Sequence, residues 1–217
     1  MKDYRLGGIA LIVGAISGMI TMSLHPVAGG HPITPDQFER LAIFMVGVHV
    51  LAIAGVPFSF LGALALTRRL DSPGRVALTA LVIYGLGLVA VTIAPAMSGL
   101  VGTEVIRKMI TDAAGRDQWR TLMDYNHLIN QAFAKIFVVA SCSAIALWSV
   151  AIVKSRALPV AIGIYGLLLG PVIVIAMISG GLSLDVHGFG LITFGQAIWF
   201  IVVGIILLRS IDIKTAT

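Results

Sequence analysis

Five histidines are the side chains of this sequence best suited to chemistry. They are His25, His31, His49, His127 and His187. A neutral imidazole ligates first-row transition metals and carries protons near neutral pH. Two pairings with methionine stand out. Met22 lies three residues before His25, and Met45 four before His49, spacings that share a face on a helix. Soft thioether selects Cu(I) and imidazole takes several metals, so this pairing points to copper first. A second constellation is polar. His127, Gln131 and Lys135 recur every fourth residue with Asn130 beside them, and Gln196 follows His187. In an apolar helix such a stripe faces a bundle interior or a wet cavity. Each of these residues also has an ordinary use, in loop shaping, interfacial hydration or packing.

No compact catalytic or metal motif is present. His-Glu-x-x-His, Cys-x-x-Cys and the Walker pattern are all missing, as is Gly-x-Ser-x-Gly. The single cysteine, Cys142, excludes an intrachain disulfide. No catalytic residue is assigned, and whether the chain is an enzyme stays open.

The elements that must position these side chains follow from composition. Of the 217 residues, 58% are hydrophobic and 12% charged. Soluble domains run at about 45–50% apolar and about 25% charged. A water-soluble fold of this size lacks the interior to hide so much apolar surface. An all-α integral membrane protein in one domain over 1–217 is expected, with the lipid bilayer as its first partner.

A helix needs about 20 apolar residues to cross a ~30 Å hydrocarbon core. Six runs qualify: Leu6–Leu24, Leu41–Thr67, Val76–Ser98, Leu128–Val153, Leu158–Gly180 and Gly188–Leu208. None carries Asp or Glu, which weakens a carboxylate-relay pump. Charge orients the spans. With both termini cytoplasmic, the inner segments hold Lys2, Arg5, Arg68, Arg69, Arg75, Lys154, Arg156, Arg209 and Lys214. Most acids then lie outside. This is the positive-inside pattern, and it predicts a multi-pass protein of a cell inner membrane. The basic residues are spread over four short segments, so no nucleic-acid patch is indicated.

Connections differ on the two sides. The inner turn Asp71-Ser72-Pro73-Gly74 has turn chemistry in its Pro and Gly. On the outer side, Thr34 and Gln37 form a capping box around Pro35 at the first helical position, with Ile33 and Phe38 as a staple. The second helix should therefore start near Pro35. Between the third and fourth spans, 99–125 should hold one or two short amphipathic helices, capped by Thr103, broken at Gly115 and anchored by Trp119.

An internal repeat is visible. Ile83-Tyr84-Gly85-Leu86 recurs as Ile164-Tyr165-Gly166-Leu167, and Leu88, Val91, Ser98 and Gly99 recur as Leu169, Val172, Ser179 and Gly180. A helical hairpin repeated three times would explain it. Gly14-x-x-x-Gly18 and Gly166-x-x-x-Gly170 should sit at helix contacts.

This topology places every histidine at or near the outer face. A count of ~20 residues back from Arg68 puts His49 at the outer hydrocarbon boundary, and the same count from Lys154 puts Lys135 there. An outward polar vestibule is expected, with Asn130, Gln131, Lys135 and Gln196 in its wall. Three readings stay open. The first is a transition-metal site, copper before others, with His49 and His127 as core ligands and His25, His31 and His187 completing it. Met22 and Met45 would be its soft ligands, and its use metal handling or membrane redox chemistry. The second is haem b held between His49 and either His127 or His187. The third is a small permease, or a subunit with a membrane-protein partner or a second copy of itself, and no cofactor.

Overall fold

The computed structural model describes residues 4–25, 34–70 and 75–209. His31, Ile33, the turn 71–74 and both chain ends lie outside the described residues. Six helices are long and apolar enough to cross a membrane. They are α1 (Tyr4–Leu24), α2 (Pro35–Leu70), α3 (Val76–Pro95), α5 (Arg116–Ser155), α6 (Val160–Ile178) and α7 (Val186–Arg209), with a shorter α4 (Gly102–Thr111). The chain is a multi-pass membrane protein by the length and composition of these helices.

Local chemistry explains several boundaries. The Thr34 backbone N–H donates to Gln37 Oε1 at 3.0 Å, and the Gln37 N–H donates to Thr34 Oγ1 at 3.3 Å. This is the expected capping box, and α2 starts at Pro35. Asp185 starts α7 in the same manner, accepting from the Gly188 N–H at 2.8 Å.

The segment 99–125 is more continuous than a loop with separate helices. α3 passes through a π-helical turn, Ala96–Val101, straight into α4. Thr103 does not cap this helix. It lies inside it, and its hydroxyl donates to the Gly99 carbonyl at 2.5 Å. The chain breaks at 112–115, and α5 then runs unbroken for 40 residues. Asp112 staples the break, taking the Gly115 N–H at 2.9 Å and the Trp119 indole N–H at 3.0 Å.

The spans close into a ring. α1 packs along both α2 and α7, and α5 along both α3 and α6. The seams α2/α3 and α6/α7 complete the circle over shorter contacts. Small residues permit the tight seams. Gly14 of α1 lies against the Ser59 backbone, and Gly166 of α6 against Ser149 and Trp199. Gly8 of α1 meets Gly204 and Leu208 of α7, so the two ends of the described chain lie on the same side. That is the arginine-rich end, where Arg5, Arg68, Arg75, Arg156 and Arg209 stand at helix termini. Beyond it toward mid-bundle, Tyr84, Trp148, Trp199 and Phe200 form an aromatic layer inside the main core. Trp148 is wholly buried, and its indole N–H donates to Thr67 Oγ1 at 3.0 Å.

Candidate functional site

His49 is the one buried histidine among the described residues, at 2% exposure. It sits on α2 about 21 residues above Leu70, or about 31 Å along the helix. Its Nδ1 lies 2.6 Å from the Met45 carbonyl one turn back. A carbonyl brings no proton, so Nδ1–H must be the donor. In the neutral ring this leaves the lone pair on Nε2. That atom is buried and has no hydrogen-bond partner.

His25, at the end of α1, stands beside it. The ring centroids are 5.0 Å apart in an edge arrangement, 69° between planes. Two helices thus deliver two imidazoles to one place. Met22 lies one turn below His25 and lines the central cavity of the bundle. Met45 is half-buried, and its carbonyl holds the His49 tautomer.

The floor under His49 is backbone. Gly99, in the π-helical turn, lies where a Cβ would overlap the His49 ring. A π turn fits one extra residue into the helix and often marks a functional site. Here it brings a bare glycine against the imidazole. Asn126 of α5 supports the turn from the other side. Its Nδ2–H donates to the Met97 carbonyl at 3.0 Å. At 5% exposure its Oδ1 is buried without a partner. Two acceptors, His49 Nε2 and Asn126 Oδ1, therefore flank the same short stretch of chain with nothing donated to them. Neither Gly99 nor Asn126 was singled out as a site residue by its pattern. The available signal was Asn126 itself, an amide at the border between the polar and apolar parts of α5.

The remaining candidates are placed elsewhere. His127 and His187 are exposed. For His127 the reason is the face of α5 it stands on: Asn126, one residue away at the same height, is buried at 5% exposure, while Leu128 on the other side is exposed like His127. His187 is the second residue of α7. Lys135 is exposed and Asn130 half-buried. Gln131 reaches the turn before α7, donating to the Leu184 carbonyl at 3.2 Å. Gln196 is buried at 4% exposure and lines the central cavity, its Nε2 bonded to Ser141 Oγ at 2.9 Å and directed at Cys142 Sγ at 3.3 Å. Among the described residues, no three His, Cys, Asp or Glu side chains form a group that could hold a metal ion. The structure thus brings together a pair, His25 and His49, rather than a ring of four or five.

Above the pair, α4 is tied to α2. Arg107 grips Glu39 with two bonds, Nε to Oε1 at 2.8 Å and Nη2 to Oε2 at 3.1 Å, and also pairs with Glu104. The bidentate fork fixes α4 over the histidine end of α2.

No protein-family model, no curated protein and no solved structure matches this chain.

Proposed function

We propose that the chain is an inner-membrane protein that holds a transition-metal ion, Cu(I) first, between His25 and His49 at its outward face. The single observation that carries this reading is the buried, unpartnered Nε2 of His49 at the side of a second imidazole. A backbone carbonyl on Nδ1 is the usual outer partner of a metal-ligating histidine, because it fixes the tautomer and aims the lone pair. Imidazole nitrogens bind zinc or copper at about 2.0–2.1 Å, and two rings sharing one ion at a bent angle have centroids about 5 Å apart. Met22 and Met45, each one turn from a histidine of the pair, would be the soft ligands that favour Cu(I) over harder ions. The positive-inside rule supports a cytoplasmic arginine-rich end; the ion would then be taken from the outer side for metal handling or membrane redox chemistry. A haem b between His49 and His127 or His187 would need an exposed histidine as second axial ligand, so the His25 pair is the better-supported donor set.

Competition for Cu(I) against a bicinchoninate chelator tests the reading on the detergent-purified full chain. One ion per chain is expected. His49→Ala and His25→Ala should each weaken binding at least ~10-fold, the range seen when even outer partners of a ligand are lost. His127→Ala should bind as wild type. Binding no tighter than the His49→Ala variant would overturn it.

A further inference from the structure

A second site lies below the histidines, inside the ring of helices. It is a cavity of about 120 Å³ walled by α1, α2, α3, α5 and α7. Its floor is the aromatic layer, through Tyr84 and Phe200, and its upper end reaches Thr21, Met22 and Phe189. Small residues are frequent in its wall, Gly14, Ala15, Gly18, Ala52 and Gly55 among them, and Gly14 and Gly55 also close the α1/α2 contact on Ser59 and Ser17.

The wall chemistry restricts the occupant. No charged side chain lines the cavity. Most of its hydrogen-bond donors are already engaged. Ser59 Oγ donates to the Gly55 carbonyl at 3.2 Å, Thr193 Oγ1 to the Phe189 carbonyl at 2.9 Å, and the Gln196 amide to Ser141. The surface left over is predominantly hydrocarbon. A charged or donor-seeking molecule would lose its hydration there without replacement. An apolar cavity of ~150 Å³ in a soluble protein stays dry and takes benzene, so this one suits about six carbon atoms.

On the lipid-facing seam between α2 and α3 lies a shallow groove lined by Val56, Phe60, Gly85, Leu88, Val89 and Thr92. Val56 and Leu88 also line the central cavity. Two side chains are therefore the shared wall between bilayer and cavity, at one of the two short-contact seams of the ring.

We infer that this cavity binds a short uncharged hydrocarbon segment, entering from the bilayer between α2 and α3 past Val56 and Leu88. The segment can be the end of a lipid acyl chain or a small free hydrocarbon. This site is independent of any metal at His25 and His49.

Two tryptophans report on it. Trp148 and Trp199 are 0% and 1% exposed, and each meets cavity-floor Phe200 edge-on, with centroids 6.4 and 5.2 Å away. In a Trp119→Phe background they are the only indoles. Bromobenzene added to the purified chain in detergent should quench them saturably, and unbrominated benzene should relieve the quenching. Gly18→Leu and Ala52→Leu, which fill the cavity, should weaken the effect about tenfold, some 1.4 kcal/mol. Vesicles of phosphatidylcholine brominated along its acyl chains separate the sources. Quenching there identifies the lipid chain as occupant, and its absence leaves the free hydrocarbon. Linear, unsaturable quenching in the wild-type chain, or quenching that benzene does not relieve, overturns the inference whether or not the filled variants fold.

Discussion

Gly99 and His49 are in backbone-to-ring contact: the turn that follows α3 passes so close to the imidazole of α2 that no side chain fits between them. The contact depends on the π-helical turn Ala96–Val101, which rotates Gly99 into register with His49. It explains how a polar ring can be buried within a long helix, with a carbonyl on one nitrogen and backbone packed against the ring.

Gly99→Ala should therefore be a site mutation as well as a stability mutation. The new methyl must push the ring aside, at a cost of about 1–3 kcal/mol for overpacking. Thermal unfolding in detergent measures the stability loss, and Cu(I) competition should show weakened binding of the same order as His49→Ala. Wild-type affinity in a folded Gly99→Ala variant would mean the ring needs no support from this turn.

Asn126 is expected to hold the π turn. Replacing it with Leu removes the donor to the Met97 carbonyl in a buried place, with an expected loss of about 1–3 kcal/mol. The comparison of interest is Asn126→Asp. A carboxylate keeps the acceptor and loses the N–H, so it should destabilise the metal-free chain while raising affinity for a cation at the neighbouring imidazoles. Denaturation midpoints with and without Cu(I) separate the two effects.

The α4–α5 break should loosen in acid. Asp112 has its carboxyl held below the usual carboxylate range, first by the Trp119 indole N–H and then by the Gly115 backbone N–H. Asp185 is lowered likewise, by the Gly188 N–H and the Ser183 hydroxyl. A lowered folded value means the stabilisation is complete above the ordinary carboxylate value. It is lost as pH falls through the lowered one. Trp119 emission should thus change in acid, below about pH 4, and Asp112→Asn should remove that step. An unchanged profile in the variant would show that Asp112 does not govern the break.

The aromatic layer carries a measurable polar bond. Thr67→Val leaves the Trp148 indole N–H buried without its acceptor, and about 1–3 kcal/mol of stability should go with it. Trp148→Phe in the same background should recover part of the loss, since the orphaned donor is then absent. A double-mutant cycle on unfolding midpoints measures the coupling; no coupling would place the two residues in independent environments.

Much of the framework could be read along the chain. Thr34, Pro35 and Gln37 are adjacent, so their capping chemistry acts within one turn and needs no partner helix. Span length is likewise a local property of apolar runs. His49 was legible because its depth follows from counting residues up from Arg68. His127 was expected beside His49 as a core ligand, and the structure leaves it exposed on α5 because the face of a helix that turns inward is set by its neighbours. Thr103 misled because a hydroxyl before an acidic residue resembles a cap, whereas the chain continues helically from α3 through the π turn into α4 and passes Thr103 without a start there.

Sequence alone determined that six apolar helices form, where most of them begin, and which end gathers arginine, because each depends on neighbours within a turn or on summed hydropathy. Tertiary structure decided which helices touch, that His25 meets His49, that Gly99 packs against its ring, and that a hollow remains among five of the helices. The physical reason is rotation. A helix apolar on every side, such as α1, α3, α6 or α7, has no polar stripe to mark its inward face. Its angle about its own axis is set only when glycines and bulky side chains of neighbouring helices interlock.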